Sequence, residues 1–347
     1  MTPTISKITA IRLHEAGKLI QAQQMYQQLL ETMPVDSDLW HRLGILYWQQ
    51  NQFELAKNTL LQALNYQKKS PMLWLHYGVV LGSLNQHQLA QQSFESGLAC
   101  QATATQQIEL YYYHALALHK QHQLSHALNS IDKVLQLSPN HVQALNLQGT
   151  LYLQNHNLPQ ALNCYQLAIK LKKDFAEAWY HCGIVLEKLH DYAKAINHYQ
   201  QAICLKPHYV KALYNCANLW AVLQNYPQAI ILLNQLLAIE PDYPYARGRL
   251  FYWQMQGCDW KNYHTAITDL RQGVIFQQNV ISPFEFFNVP ANAQEQYLCA
   301  QAYVHKNYPK QTVSLWQGEI YRHPKIKIAY LSADFYQHAT SILMIEL

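Results

Sequence analysis

One alanine returns along this chain at Ala22, Ala56, Ala90, Ala127, Ala161, Ala195 and Ala229, at spacings of 34, 34, 37, 34, 34 and 34 residues. Twelve residues before each stands a small residue: Ala10, Gly44, Gly78, Ala115, Gly149, Gly183 and Ala217. Four residues after each stands a large apolar one: Tyr26, Leu60, Phe94, Ile131, Tyr165, Tyr199 and Leu233. A period held this long leaves few folds, because each period has to be one supersecondary unit that hides its apolar face by stacking on the next. Two antiparallel helices that approach closely need a small residue on each at the point of contact. The glycine or alanine and the recurring alanine meet that need, and the large residue then plugs the space between neighbours. Trp40, Trp74, Tyr111 and Trp179 recur at one place on the first helix and form a second plug. Pro159 and Pro227 sit at the start of second helices, where a missing N–H costs little, while Pro34, Pro139, Pro207 and Pro241 end them.

A 34-residue period with these residue types resembles the tetratricopeptide repeat. It implies an all-α fold, a right-handed superhelical solenoid of helical hairpins. The register divides the chain into seven repeats, 3–36, 37–70, 71–104, 108–141, 142–175, 176–209 and 210–243. The three extra residues, Thr105, Gln106 and Gln107, are expected in the loop between the third and fourth repeats. Residues 244–273 read as a degenerate eighth hairpin: Ala246 keeps the phase, but Tyr263 stands where the alanine belongs.

In such solenoids the first helix of each pair lines a concave groove. Two positions before the small residue the groove should present Arg42, His76, Tyr113, Leu147, His181 and Asn215. One position earlier come His41, Leu75, Tyr112, Asn146, Tyr180 and Tyr214. This mixture of rings and hydrogen-bonding groups, with few charges, suits an extended protein segment held by its backbone and by ring contacts. Protein or peptide partners are therefore expected, with Arg42, His76, Tyr112, Tyr113, Tyr180, His181, Tyr214 and Asn215 as the groove residues.

Charge points the same way. Charged residues are only 13% of the chain, the formal net charge is +4, and the cations are scattered. Nucleic acid, which needs a concentrated basic stripe, is not the expected partner. The seven cysteines include no CxxC pair and read as reduced thiols of a cytoplasmic protein, Cys182 and Cys216 as packing residues. No apolar run reaches membrane-spanning length, and the start of the chain lacks the core of a signal peptide. His119, His122 and His126 are spaced like metal ligands, but the register puts them across a turn and no carboxylate completes a site, so no metal is expected. There is no HExxH, P-loop or GxGxxG.

After Gly273 the helical period fades. Residues 281–290 read as an aromatic-rich irregular stretch and 291–305 as one helix, together forming a connector over 274–323. Residues 325–331 alternate and then turn apolar, as a buried strand does, and Ser332 to Asp334 supply turn and cap residues before a helix near His338. Residues 324–347 thus read as the first strand and helix start of an α/β domain. The order of these parts, with Gly257-Cys-Asp-Trp260, Ile281-Ser-Pro-Phe284 and Ser-x-Asp-Phe-x-x-His over Ser332 to His338, resembles the bacterial SPINDLY-type relatives of the protein O-GlcNAc transferases. The resemblance implies a glycosyltransferase with two Rossmann-like domains of the GT-B type that moves a sugar from a nucleotide donor to Ser or Thr. It places His338 in the catalytic cleft, with Ser332 and Asp334 in the supporting loop. It implies a nucleotide-sugar donor, UDP-N-acetylglucosamine or GDP-fucose, bound beyond Leu347, so no cofactor and no sugar transfer are expected of this chain by itself. The animal enzymes carry groove asparagines; here only Asn215 stands at that place. The expected function is thus to present protein substrates to a sugar-transfer site. The alternatives are a non-catalytic adaptor whose last residues are a relic, and an assembly or secretion cofactor. Homo-oligomerisation is left open.

Overall fold

A computed structural model of the chain describes residues 3–308. Fourteen helices form seven antiparallel hairpins: α1 (Pro3–Glu15) with α2 (Leu19–Thr32), α3 (Ser37–Gln49) with α4 (Phe53–Tyr66), α5 (Pro71–Ser83) with α6 (His87–Leu98), α7 (Ala104–Lys120) with α8 (Leu124–Leu137), α9 (Val142–Gln154) with α10 (Leu158–Leu171), α11 (Ala176–Lys188) with α12 (Tyr192–Leu205), and α13 (Val210–Val222) with α14 (Tyr226–Ile239). Then follow α15 (Ala246–Gln256), α16 (Tyr263–Ile275), the single turn α17 (Pro283–Phe286) and α18 (Ala293–Asn307). Each hairpin stacks on the next, and no strand occurs among the described residues. None of these helices is long and apolar enough to cross a membrane. The expected strand at 325–331 and the residues Ser332, Asp334 and His338 lie outside the described residues.

The small and large residues of the repeat meet each other inside a hairpin. A Cβ built on Gly44 would lie 2.6 Å from Leu60, on Gly78 2.4 Å from Phe94, on Gly149 2.7 Å from Tyr165 and on Gly183 2.6 Å from Tyr199. The recurring alanines are all fully buried. In the eighth unit both small residues are replaced. Phe251 and Tyr263 stack at 5.8 Å between ring centroids, and α15 and α16 approach less closely than the other pairs.

The turn inside each hairpin is closed by one residue in the left-handed region: Gly17, Asn51, Asn85, His122, His156, His190, Gln224 and, in the eighth unit, Cys258. Around His156 the two bonds of this helix end run from His156 N–H to Leu153 O at 3.1 Å and from Asn157 N–H to Tyr152 O at 2.9 Å. The turn between hairpins has its own fastening. The indole N–H groups of Trp40, Trp74 and Trp179 donate to the carbonyls of Pro34, Lys68 and Lys173, each six residues back, at 2.7, 2.7 and 2.8 Å. Arg247 Nε repeats the bond to Pro241 O at 3.1 Å. The tryptophans are therefore clamps as well as plugs.

Two segments differ from the reading of the sequence. Thr105, Gln106 and Gln107 are not a loop: they form the first turn of α7, because Thr103 and Gln106 make a reciprocal capping box that starts the helix early. The stretch expected to be irregular contains α17, capped in the same way by Ser282 and Glu285. Val280, Ile281, Phe286 and Val289 are buried with α16 and Cys299, so this stretch belongs to the core. Arg271 and Glu295 join α16 to α18 through a two-pronged bond, at 2.8 and 3.1 Å.

Candidate peptide-binding groove

The first helices of successive hairpins stand side by side, offset by one residue. The side chain at one groove position therefore meets, 35 residues on, the neighbouring position of the next repeat. His41 Nε2 lies 2.8 Å from His76 Nδ1, Asn146 Oδ1 3.0 Å from His181 Nδ1, and Asn215 Nδ2 donates to Tyr180 Oη at 3.3 Å. Arg249 Nη1 donates to Tyr214 Oη at 2.6 Å. A second row runs parallel to the first: His14 with Gln49 at 3.0 Å, Trp48 with Ser83 at 3.3 Å and His119 with Gln154 at 2.9 Å.

The structure thus brings His76 to His41, His181 to Asn146, Asn215 to Tyr180, and Tyr112 against Tyr113 with ring centroids 5.5 Å apart. Arg42 joins none of these. Its Nε holds Asp38 of its own helix at 3.0 and 3.1 Å, and Lys7 holds the same carboxylate at 3.2 Å, so that charge is balanced locally. Tyr180 is buried, ringed by His181, Tyr199 and Tyr209, and offers no exposed platform. Leu75 and Leu147 are buried too. His119 is a rung, His122 a left-handed turn residue, and no group of three metal-ligating side chains occurs among the described residues.

The rungs are shielded from water. Burial, with the neighbouring His76 second, pushes His41 down to about 4, and burial pushes His181 down to about 4. His76 is lowered by the same desolvation. Desolvation likewise raises the phenols of Tyr112, Tyr113 and Tyr180. At neutral pH His41, His76, His181 and these tyrosines are therefore neutral, which suits contact with a peptide backbone.

Arg249 closes one end. Besides Tyr214 it donates to Asn218 Oδ1 at 3.0 Å and to Glu285 Oε1 at 3.1 Å, tying the groove to α17. The register itself reaches Arg249, 34 residues beyond Asn215, but the loss of the alanine at Tyr263 hid the eighth unit's part in the groove.

Between α5 and α7 the row of polar rungs is interrupted. Leu75 and Tyr113 occupy the two rung positions, and a cavity of about 220 Å³ opens among Ile45, Trp48, Leu75, His76, Val79, Glu109 and Tyr113. A second cavity of about 290 Å³ adjoins it at Val79 and Tyr113 and runs to Gly82, Leu116 and Lys120.

Comparison with known proteins agrees with this architecture. A family model described as tetratricopeptide repeat matches residues 13–75 and 186–249, and one described as TPR repeat matches residues 149–190. The fold is similar to a chain in the crystal structure of the APC/C hetero-tetramer Cut9-Hcn1, with a TM-score of 0.58 and 19% identity over 72% of this chain. This chain spans 48% of the length of that one. PilW, described as a widely conserved type IV pilus biogenesis factor, matches with a TM-score of 0.56 and 17% identity, covering 61% of this chain and 97% of its own. PilF of Pseudomonas aeruginosa matches with a TM-score of 0.52 and 20% identity, covering 60% and 93%. No curated protein sequence matches the chain. The described residues are an all-helical solenoid of tetratricopeptide repeats, a class of repeat that binds peptides and proteins.

Proposed function

We propose that this chain holds segments of partner proteins along its concave face, and that it does so as the substrate-holding array of a protein O-glycosyltransferase of the SPINDLY type. The first part is carried by one observation. Consecutive first helices line up Tyr112, Asn146, His181, Tyr214 and Asn215, with the polar members locked in pairs. Side chains already fixed in one rotamer lose little entropy when an extended chain settles on them. The second part rests on the resemblance of 332–338, where His338 would sit in the cleft with Ser332 and Asp334 around it, and a nucleotide sugar would be the donor.

The second reading is an adaptor without sugar transfer. The fold likeness to a chain of an APC/C hetero-tetramer and to a pilus biogenesis factor sits with it. Peptides selected from a displayed random library on this chain, then titrated by calorimetry, test the first part. Asn146→Ala and Asn215→Ala each weaken binding about fivefold, the worth of one hydrogen bond; binding indifferent to every groove variant sinks it. Incubating the natural gene product with the selected peptides and a tritiated sugar nucleotide separates the two readings. Label on a Ser or Thr of the peptide, lost in His338→Ala without loss of binding, supports the transferase. Binding without label supports the adaptor.

A further inference from the structure

On α7, Glu109, Tyr113, Leu116 and Lys120 are spaced 4, 3 and 4 residues apart and therefore lie along one face. That face borders both cavities where the polar rungs stop. Its middle is apolar, with Val79 and Gly82 of α5 opposite. Its two ends carry opposite charges. Glu109 and Lys120 are both exposed, and neither forms an ion pair among the described residues, in contrast to Arg42, Asp38 and Lys7 nearby. Eleven residues of helix put these two charges roughly 16 Å apart, the reach of about five residues of extended chain.

We infer that this stretch is the anchor subsite of the groove, and that it takes a short extended peptide with one large apolar side chain between a basic residue and an acidic one. The apolar side chain enters the gap between α5 and α7 beside Tyr113. The cation lies at Glu109 and the carboxylate at Lys120. Charge complementarity fixes this class of ligand: a peptide with two like charges leaves one end repelled, and a purely polar one leaves the apolar floor wet. The inference rests on the groove reading above and adds the position and the chemistry of the segment held.

Gly82 makes the test clean. A Cβ on Gly82 meets no atom within 4 Å, so the helix admits a side chain there and Gly82→Leu grows into the cavity that Gly82 lines. Three fluorescein-labelled hexapeptides serve as probes in anisotropy titrations with the full chain, each with an inner Phe: one with Lys and Glu as its two end residues, one with Lys at both ends, one with Glu at both ends. The expected result is tightest binding of the Lys/Glu peptide, weakened about tenfold by Gly82→Leu, as the loss of one buried side chain implies. Glu109→Lys is expected to move the preference to the two-Glu peptide, and Lys120→Glu to the two-Lys peptide. Equal binding of all three probes, or binding unmoved by the three variants, overturns the subsite. If library-selected peptides still depend on Asn146 and Asn215 in that event, the groove reading stands and only the anchor falls. If no peptide binds at all, both fall.

Discussion

Gly183 faces Tyr199 so closely that an added methyl group would sit 2.6 Å from the ring. Yet Ala10 faces Tyr26 at the same place in the first repeat, both fully buried. A tyrosine at this position can therefore shift enough to admit one carbon. Gly183→Ala gains about 1 kcal/mol in helix propensity against a similar cost of crowding, so it is expected to leave the urea midpoint almost unchanged. Gly183→Leu adds a branched chain that no shift accommodates and should lose about 3 kcal/mol. The turn histidines go the other way. His156 is exposed, holds φ at 56°, and stands where the first repeat has Gly17 at 73°. An L-residue in this region is strained by roughly 1–2 kcal/mol, part of which glycine's greater chain entropy cancels. His156→Gly is expected to stabilise the protein by about 0.5 kcal/mol in the same measurement; a loss of stability would show that the imidazole makes a contact of its own.

Individual elements divide by how they are joined. The seven hairpins were legible because their contact needs one small residue on each helix, and a small residue at a fixed interval is visible in the sequence. The groove list was legible as positions but not as pairs, since the 35-residue rung depends on the offset between neighbouring helices, which no single repeat contains. Tyr180, expected along the groove, is buried among the rings of His181, Tyr199 and Tyr209. The register placed the hairpin turns but not their left-handed residue, because Asn, His, Gln and Cys mark such a backbone less sharply than glycine does. The capping boxes at Thr103 and Ser282 were written in the sequence, but the first was hidden by treating three extra residues as a loop and the second by the loss of the period. The last elements hang on two buried carboxylates rather than on the repeat. Glu285 holds Arg249, and Glu295 both caps α18 and holds Arg271, whose bond lowers the Glu295 carboxyl. Glu295→Ala leaves Arg271 unpaired and the α18 cap unmade. Hydrogen exchange should then speed up about tenfold or more in α17 and α18 while α1 to α14 keep their protection. A uniform loss along the chain would mean instead that the C-terminal helices unfold with the array.

For the molecule as a whole, the rungs make stability depend on pH in a definite direction. His41 and His181 titrate near 6.5 when unfolded and at about 4 when folded, chiefly because burial disfavours their charged forms. For a base whose folded pKa is depressed, the unfolded chain takes up the proton first, so stability is complete above about pH 6.5 and drains away as pH falls toward 4. Each of the two contributes about 2 kcal/mol after allowance for its partial exposure to water. His76, lowered in the same sense, adds to the loss. The carboxylates act in a different window: Asp38 and Glu295 are held below their ordinary values, and the stability they supply goes only as pH drops below that range. Urea unfolding at pH 7.0 and 5.0 separates the two groups. The wild-type midpoint is expected to fall markedly between these values, and a His41→Gln, His181→Gln double variant, which keeps a hydrogen-bonding side chain in each rung, is expected to show less of that fall, the remainder coming from His76, His114, His119 and His141, which burial also lowers. Because consecutive repeats are stabilised chiefly through their interfaces, rungs that protonate at the second-to-third and fifth-to-sixth junctions should loosen the array there first. Peptide affinity of the groove should therefore decline over the same pH window, and in the double variant it should hold.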